Sequence, residues 1–235
     1  GGIIPTTIEN SQYIQESTLQ EIGVKMNLLD NRLYTAIAWY DQDKTYRDSQ
    51  TGALVAVYGD GLEFEMRALV NENLSILATA THTNTEEVSN GALAVINGAD
   101  FAAQNGLNPE DVYGGRIAGP RSAFVGMNTR MERGGLPDNI VSIYGTWAQE
   151  LGAGDVTGSL GLTWVDETYT DIMQTVMLPS YTVVNGSVSY AQGPFTGLLQ
   201  VNNLMDEEYY TSADLFDSVV VKPSAGRTFS LTLTY

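Results

Sequence analysis

Four arginines, Arg116, Arg121, Arg130 and Arg133, lie close together in a chain with only 11 Lys and Arg against 28 Asp and Glu. A guanidinium pairs bidentately with carboxylates, so a segment bearing four of them suits an anionic chelate as ligand. Tyr113 and Phe124 interleave with the arginines and offer aromatic faces for stacking on a ligand or for packing the loop. The competing reading is that the arginines pair with Glu110, Asp111, Glu132 and neighbouring loops. Catalysis finds less support. His82 is the only histidine, no serine sits in a nucleophile elbow, and without cysteine there is no thiolate site. His82 reads as a residue on the small, polar row of its strand, near the outer end. Asp206-Glu207-Glu208 has the chemistry for a hard cation but reads as a solvated strand end. No catalytic residue, metal ligand or cofactor is assigned. A net charge of −17 repels phosphate backbones and argues against nucleic acid as a partner.

The elements that must position these residues are strands. Gly and Tyr are abundant, long runs of helix formers are scarce, and no stretch approaches the ~18–20 apolar residues of a membrane helix. Alternation places about nine strands, at 15–28, 32–46, 55–70, 74–84, 139–149, 156–169, 181–192, 195–208 and 227–235. In the third, Leu62, Phe64, Met66 and Ala68 alternate with Glu63, Glu65 and Arg67. Glu21 and Lys25 also fall on the polar row of their strand. In the second, Leu33, Ile37 and Trp39 compete with Tyr34, Ala36, Ala38 and Tyr40 for the apolar face, and the pattern leaves both open. The last residues, Arg227 to Tyr235, put Phe229, Leu231, Leu233 and Tyr235 on one face and Thr228, Ser230, Thr232 and Thr234 on the other. That is the pattern of a barrel strand with lipid on one side and a polar lumen on the other.

Connection lengths alternate. Short turns fall at 29–31, 71–73, 150–155 and 193–194; long connections fall at 47–54, 85–138, 170–180 and 209–226. Outer-membrane barrels show this asymmetry, whereas a soluble sandwich has no reason to keep every other connection short. The predicted fold is therefore all-β, a transmembrane antiparallel barrel, with a short helix expected at 99–104 inside the longest loop. Tyr40, Trp147, Trp164, Tyr190 and Tyr235 are expected as interfacial girdles. An odd strand count would leave two bare edges in lipid, where unsatisfied backbone groups cost several kcal/mol each, so further strands are expected upstream.

Five motifs carry a family resemblance. Glu21-Ile22-Gly23-Val24-Lys25 followed by Leu28-Leu29-Asp30-Asn31-Arg32-Leu33 resembles the first, a strand-turn-strand hairpin of TonB-dependent outer-membrane receptors. Tyr58-Gly59-Asp60-Gly61-Leu62-Glu63-Phe64-Glu65 and Leu178-Pro179-Ser180-Tyr181-Thr182-Val183-Val184-Asn185 are similar to two of that family's strands. Val201-Asn202-Asn203-Leu204-Met205-Asp206-Glu207-Glu208-Tyr209-Tyr210 resembles another segment, with Met205 where Phe is usual. Gly226-Arg227-Thr228-Phe229 through Tyr235 resembles the terminal strand, with Ser224-Ala225 where Pro is common. The resemblance implies that 1–235 is the C-terminal part, about nine strands, of a plugged barrel of about 22. It implies residence in the bacterial outer membrane, in contact with its lipid, and uptake of a scarce nutrient, most often a ferric siderophore. Power would come from a TonB complex acting through the upstream part, with no chemistry done on the ligand. Phe229, Leu231, Leu233 and Tyr235 would be the signal read by barrel-assembly machinery. The rivals are a non-transporting barrel (an adhesin or partner-completed scaffold), an outer-membrane hydrolase and a soluble sandwich.

Overall fold

The computed structural model describes residues 16–47, 54–89, 92–95, 122–125, 130–170, 176–212 and 221–235. In chain order the strands are β1 (Glu16–Leu28), β2 (Leu33–Arg47), β3 (Leu54–Leu69), β4 (Leu74–Ser89), β5 (Ala92–Val95), β6 (Ser122–Val125), β7 (Met131–Glu132), β8 (Asn139–Leu151), β9 (Gly154–Val165), β10 (Thr168–Tyr169), β11 (Met177–Leu178), β12 (Tyr181–Gln192), β13 (Phe195–Asn202), β14 (Tyr210–Ser212), β15 (Val221–Pro223) and β16 (Thr228–Thr234). Among the described residues there is no helix. The helix expected at 99–104 lies outside them. The nine expected strands are all present, as β1, β2, β3, β4, β8, β9, β12, β13 and β16, and they neighbour one another in that order in one sheet. Every neighbouring pair in it is antiparallel.

The ladders run without interruption, so one register carries across the whole sheet. Ile22 faces Trp39, Trp39 faces Leu62, and Val24, Ile37 and Phe64 form the next row. Further along, Val141 faces Trp164, Gly158 faces Val188, Val188 faces Leu199 and Leu199 faces Leu231. All of these residues share one face. Opposite them, Glu21, Tyr40, Gly61 and Thr83 form one row, and Lys25, Ala36, Glu65, Thr79, Ser142 and Thr163 form another. The charged residues Glu21, Lys25, Glu63, Glu65 and Arg67 thus all stay off the apolar face, as expected.

This register settles the ambiguous second strand. Leu33, Ile37 and Trp39 lie on the apolar face, and Tyr40 lies on the polar one. Tyr40 is therefore not a girdle residue. It crosses β3 above Gly61 to meet the Thr83 hydroxyl at 2.9 Å. A Cβ at Gly61 would fall 2.7 Å from the Tyr40 hydroxyl oxygen, so the glycine makes room for the ring. Gly161 does the same for Tyr144, at 2.7 Å. Hydroxyl pairs complete the polar wall: Ser142 with Thr163 at 3.0 Å and Ser159 with Ser187 at 2.6 Å.

Among the described residues nothing packs over the apolar face. Among the described residues only Val55 and Leu178 are buried apolar side chains, while Ile22, Leu160, Leu231 and Leu233 are more than half exposed. Leaving a Leu or Ile in water forgoes ~1.5–3 kcal/mol, so a chain this rich in exposed apolar residues needs lipid against that face. The band has the right height. Val156 to Trp164 is ~27 Å of strand, which at a tilt of ~40° covers ~20 Å of a membrane whose barrel band is ~25 Å tall. Trp147, Tyr190, Phe195 and Tyr235 lie toward the short-turn end, with the Phe195 and Tyr235 rings 4.7 Å apart. Trp39 and Trp164 lie toward the other end.

Turn chemistry follows the sequence. Leu29, Asp30 and Asn31 all adopt positive φ, as do Gly152 and Gly193. The Asn71 side chain accepts from the N–H of Asn73 (2.8 Å) and of Leu74 (2.9 Å), closing the second turn. Arg32 donates to the carbonyls of Leu69 and Val70, tying the first turn to the second.

The strand expected at 195–208 stops at Asn202, and the cause is Asn203. This residue is buried, with φ of 53°. Its side-chain oxygen accepts from Glu207 N–H at 2.9 Å, its amide donates to the Glu207 carbonyl at 2.8 Å, and its own N–H donates to the Asn185 side chain at 2.9 Å. Asp206 then accepts from Arg227 N–H at 2.7 Å, and the Arg227 guanidinium donates to the Leu204 carbonyl at 3.2 Å. Tyr209 stacks on Tyr181 with ring centroids 4.0 Å apart. The two terminal motifs are thus one hydrogen-bonded knot across the ends of β12, β13 and β16. The strand expected at 156–169 likewise ends at Val165, where Asp166 N–H turns to the Asn139 carbonyl at 3.0 Å.

Two outcomes follow. Leu160→Lys, on the apolar face near mid-height, should cost ~2–4 kcal/mol in urea-titrated folding into liposomes, while Thr146→Lys on the polar face should cost much less. Asn203→Ala strands the Glu207 groups and puts at positive φ a residue that lacks the side-chain bonds by which Asn tolerates it. It should cost ~2–4 kcal/mol, and Asn203→Gly should recover only the backbone share, as read by the same titration.

Candidate functional site

The long connections gather at one end of the sheet, and there three strands continue past the apolar band. Above Trp39 and Leu62 the outward row changes character. Asp41 faces Asp60, Asp60 faces Asn84, Asp43 faces Tyr58 and Tyr58 faces Glu86. Charges on both faces mean that this part of β2, β3 and β4 stands in water, forming a wall above the membrane.

The short strand β7 adds to the wall's edge, with Glu132 opposite Glu86 and Met131 opposite Glu87. It brings two of the six candidate ligand-binding residues into place and separates them. Arg130 lies over the Tyr58 ring, 3.7 Å from its centroid, and reaches Glu86 at 3.4 Å. Tyr58 and Glu86 belong to the outward row, so Arg130 sits on the outside of the wall. Arg133 donates its backbone N–H to the Thr85 carbonyl at 2.8 Å, and its guanidinium lies 3.7 Å from the Glu87 carboxylate. Thr85 and Glu87 continue the row of Thr81 and Thr83, so Arg133 faces the lumen side. The carboxylate partners are Glu86 and Glu87, which sequence reasoning missed because it ended the fourth strand at 84 and read 85–138 as a loop, whereas β4 runs to Ser89 and turns the two consecutive glutamates to opposite faces.

Phe124 lies on β6, whose backbone pairs with β5 so that Leu93 faces Phe124. Tyr113, Arg116 and Arg121 lie outside the described residues, as do Glu110 and Asp111. Phe229, Leu231, Leu233 and Tyr235 are all strongly exposed on the apolar face of β16.

His82 is placed differently from the sequence reading. It faces Leu62 and Asn139, on the row of Ala78 and Ala80, and so belongs to the outward face at the top of the band. Small alanines could not mark the row in sequence; pairing with β3 does. Its Nδ1 meets the Asn139 Oδ1 at 2.9 Å, and the Asn139 amide donates to Asp166 at 2.6 Å. This chain of groups joins β4, β8 and the start of the next loop, with an amide rather than a hydroxyl at its centre. Asp206 is likewise engaged, by the Arg227 N–H.

A family model described as TonB dependent receptor-like, beta-barrel matches residues 14–204. A probable TonB-dependent siderophore receptor of Acinetobacter baumannii, PiuA, is 23% identical over 96% of this chain, which spans 28% of that protein. The solved structure of PiuA matches with a TM-score of 0.68 at 20% identity, over 97% of this chain and 30% of PiuA. BauA, the ferric preacinetobactin receptor of the same organism, matches with a TM-score of 0.67 at 16% identity, over 94% of this chain and 29% of its own. FyuA, the ferric yersiniabactin uptake receptor of Yersinia pestis, matches with a TM-score of 0.65 at 14% identity, over 93% and 29%. The apolar outward face, the girdles and the short-turn rhythm are the marks of an outer-membrane barrel, and with the family match over most of its length this chain belongs to the TonB-dependent receptor β-barrel family of the bacterial outer membrane.

Proposed function

We propose that this chain is the C-terminal part of a receptor that captures a ferric siderophore at the cell surface and imports it with energy delivered by a TonB complex. The observation that carries the reading is the match of the whole nine-strand sheet to siderophore receptors, each about three times longer than this chain. The remaining strands, to a total of about 22, and a plug inside them would come from the rest of the receptor. The wall of β2, β3 and β4 supports the reading because it holds Arg130 and Arg133 above the membrane, at the end of the connection whose sequence also carries Arg116 and Arg121.

Within that loop the two described arginines take different roles. Arg133, with Arg116, Arg121, Tyr113 and Phe124, makes the ligand-binding set. Arg130 acts as a strut, holding the loop to Tyr58 and Glu86. No bond of the ligand is made or broken by this chain. Phe229, Leu231, Leu233 and Tyr235 serve the assembly machinery as its recognition strand.

Uptake of iron-labelled siderophores by an iron-limited strain, with and without the receptor gene, tests the function. No difference across hydroxamate, catecholate and mixed-type siderophores would refute it. With a transported siderophore in hand, Arg133→Ala should weaken surface binding about tenfold, the loss of one charge-assisted contact, whereas Arg130→Ala should change it by a factor of about two. Equal losses would overturn the division of roles. Tyr235→Asp should lower the amount of heat-modifiable receptor in the outer membrane without changing its synthesis.

A further inference from the structure

Above the membrane band the wall of β2, β3 and β4 has two faces of opposite character. Its outward face carries Asp41, Asp43, Asp60, Glu86 and Glu132 against Arg130. Its lumen face continues the row of Tyr40, Gly61 and Thr83 and has a cation at each side. Lys44, Val57, Glu87 and Met131 face one another in one row, and Gln42, Gly59 and Thr85 in the next. Lys44 on β2 is therefore two strands, about 10 Å, from Glu87, beside which the Arg133 guanidinium lies at 3.7 Å. Glu87 offsets part of the Arg133 charge. Among the described residues Lys44 has no carboxylate partner, and its ammonium lies 5.8 Å from the centroid of the Tyr46 ring.

Between the two cations the floor is low. Gly59 has no side chain, and a Cβ there would find only the Asn84 carbonyl, at 4.0 Å. Its neighbour Gln42 is turned away, donating to the Ser17 hydroxyl at 3.0 Å. The shelf ends on an aromatic ring in both directions: Tyr46, opposite Val55, above, and Tyr40, laid across Gly61 to Thr83, below. A flat ring bearing anionic oxygens matches each part. Its face can rest on Val57 and Gly59, its edges against the tyrosines, and its oxygens on Lys44 and Arg133. Chelate chemistry then separates the siderophore classes. Three catecholates leave iron(III) with net negative charge and present aromatic faces, whereas three hydroxamates leave it neutral and present none. The outward carboxylates repel the first kind and the lumen cations attract it. Granted the siderophore receptor proposed above, we propose that Lys44, Arg133, Val57, Gly59, Tyr40 and Tyr46 form a subsite for one catecholate arm of the ferric chelate, which favours catecholate over hydroxamate complexes.

The test is quenching of tryptophan fluorescence of the whole receptor in detergent by the ferric complexes of a synthetic tris-catecholate and a synthetic trihydroxamate. The wild type should bind the tris-catecholate complex at least about tenfold tighter. Lys44→Gln should weaken that binding about tenfold and leave the trihydroxamate within about twofold, while Lys44→Arg should keep it. Gly59→Leu, which fills the floor, should weaken it as Lys44→Gln does, and Asp43→Asn, on the outward face, should not. Heat-modifiable migration checks the folding of each variant, and the charge variants decide the matter if Gly59→Leu does not fold. A wild type that binds neither complex or prefers the trihydroxamate, or tris-catecholate binding unmoved by Lys44→Gln, would overturn the subsite. The uptake function stands or falls separately, on the transport assay with all three siderophore types.

Discussion

Lipid offers no hydrogen-bond partner, so every backbone N–H and C=O within the membrane must be paired inside the sheet. That demand closes every ladder, and the opposite polarity of lipid and lumen then fixes the register on which the rest depends. From β1 to β16 the pairing passes through eight neighbouring ladders without a bulge, and each residue's side of the sheet is decided by its parity and its partner. A slip of one residue anywhere would exchange Glu63, Glu65 and Arg67 with Leu62, Phe64 and Met66, placing charges in hydrocarbon.

The two faces then do separate work. Within the band the outward face is apolar apart from Thr35, between Met26 and Met66, and otherwise varies in bulk: Trp and Leu beside Gly. The lumen face varies around its circumference. Charges stand on β1 and β3, Thr83 of β4 meets Tyr40 of β2, and β8, β9 and β12 present hydroxyls that bond to one another. Glycine serves both faces, but for different reasons. At Gly61 and Gly161 it admits a tyrosine ring from the next strand, and at Gly197 it leaves a hollow against lipid.

Above the membrane the same ladders continue in water, where both rows may carry charge. The extension of β2, β3 and β4 past Trp39 turns a membrane wall into a scaffold for the longest loop. Because side chains alternate, two arginines only three positions apart, Arg130 and Arg133, end on opposite sides of it. At the other long connection the chain leaves the sheet by a different device. Asn203 replaces ladder bonds with bonds from its own side chain, so β13 ends early and Arg227 can start β16 beside it.

Period-two alternation was legible in the chain because lipid and lumen impose opposite polarity on successive residues. It located all nine strands, the short-turn and long-loop ends, and the faces of Phe229, Leu231, Leu233 and Tyr235. The turn and knot motifs were visible as residue patterns, though not as contacts. What alternation could not decide was any row made of small or ambivalent residues. Tyr40 against Trp39, and His82 among alanines, acquire a face only when β3 pairs beside them, since facing is a property of the register and not of one strand. Nor could it foresee where strands end, because Asn203 and Asp166 stop them through bonds to residues distant in sequence. The loop arginines were found by composition, but their partners Glu86 and Glu87 lie on a strand some forty positions away, and only the pairing of β7 with β4 brings them together.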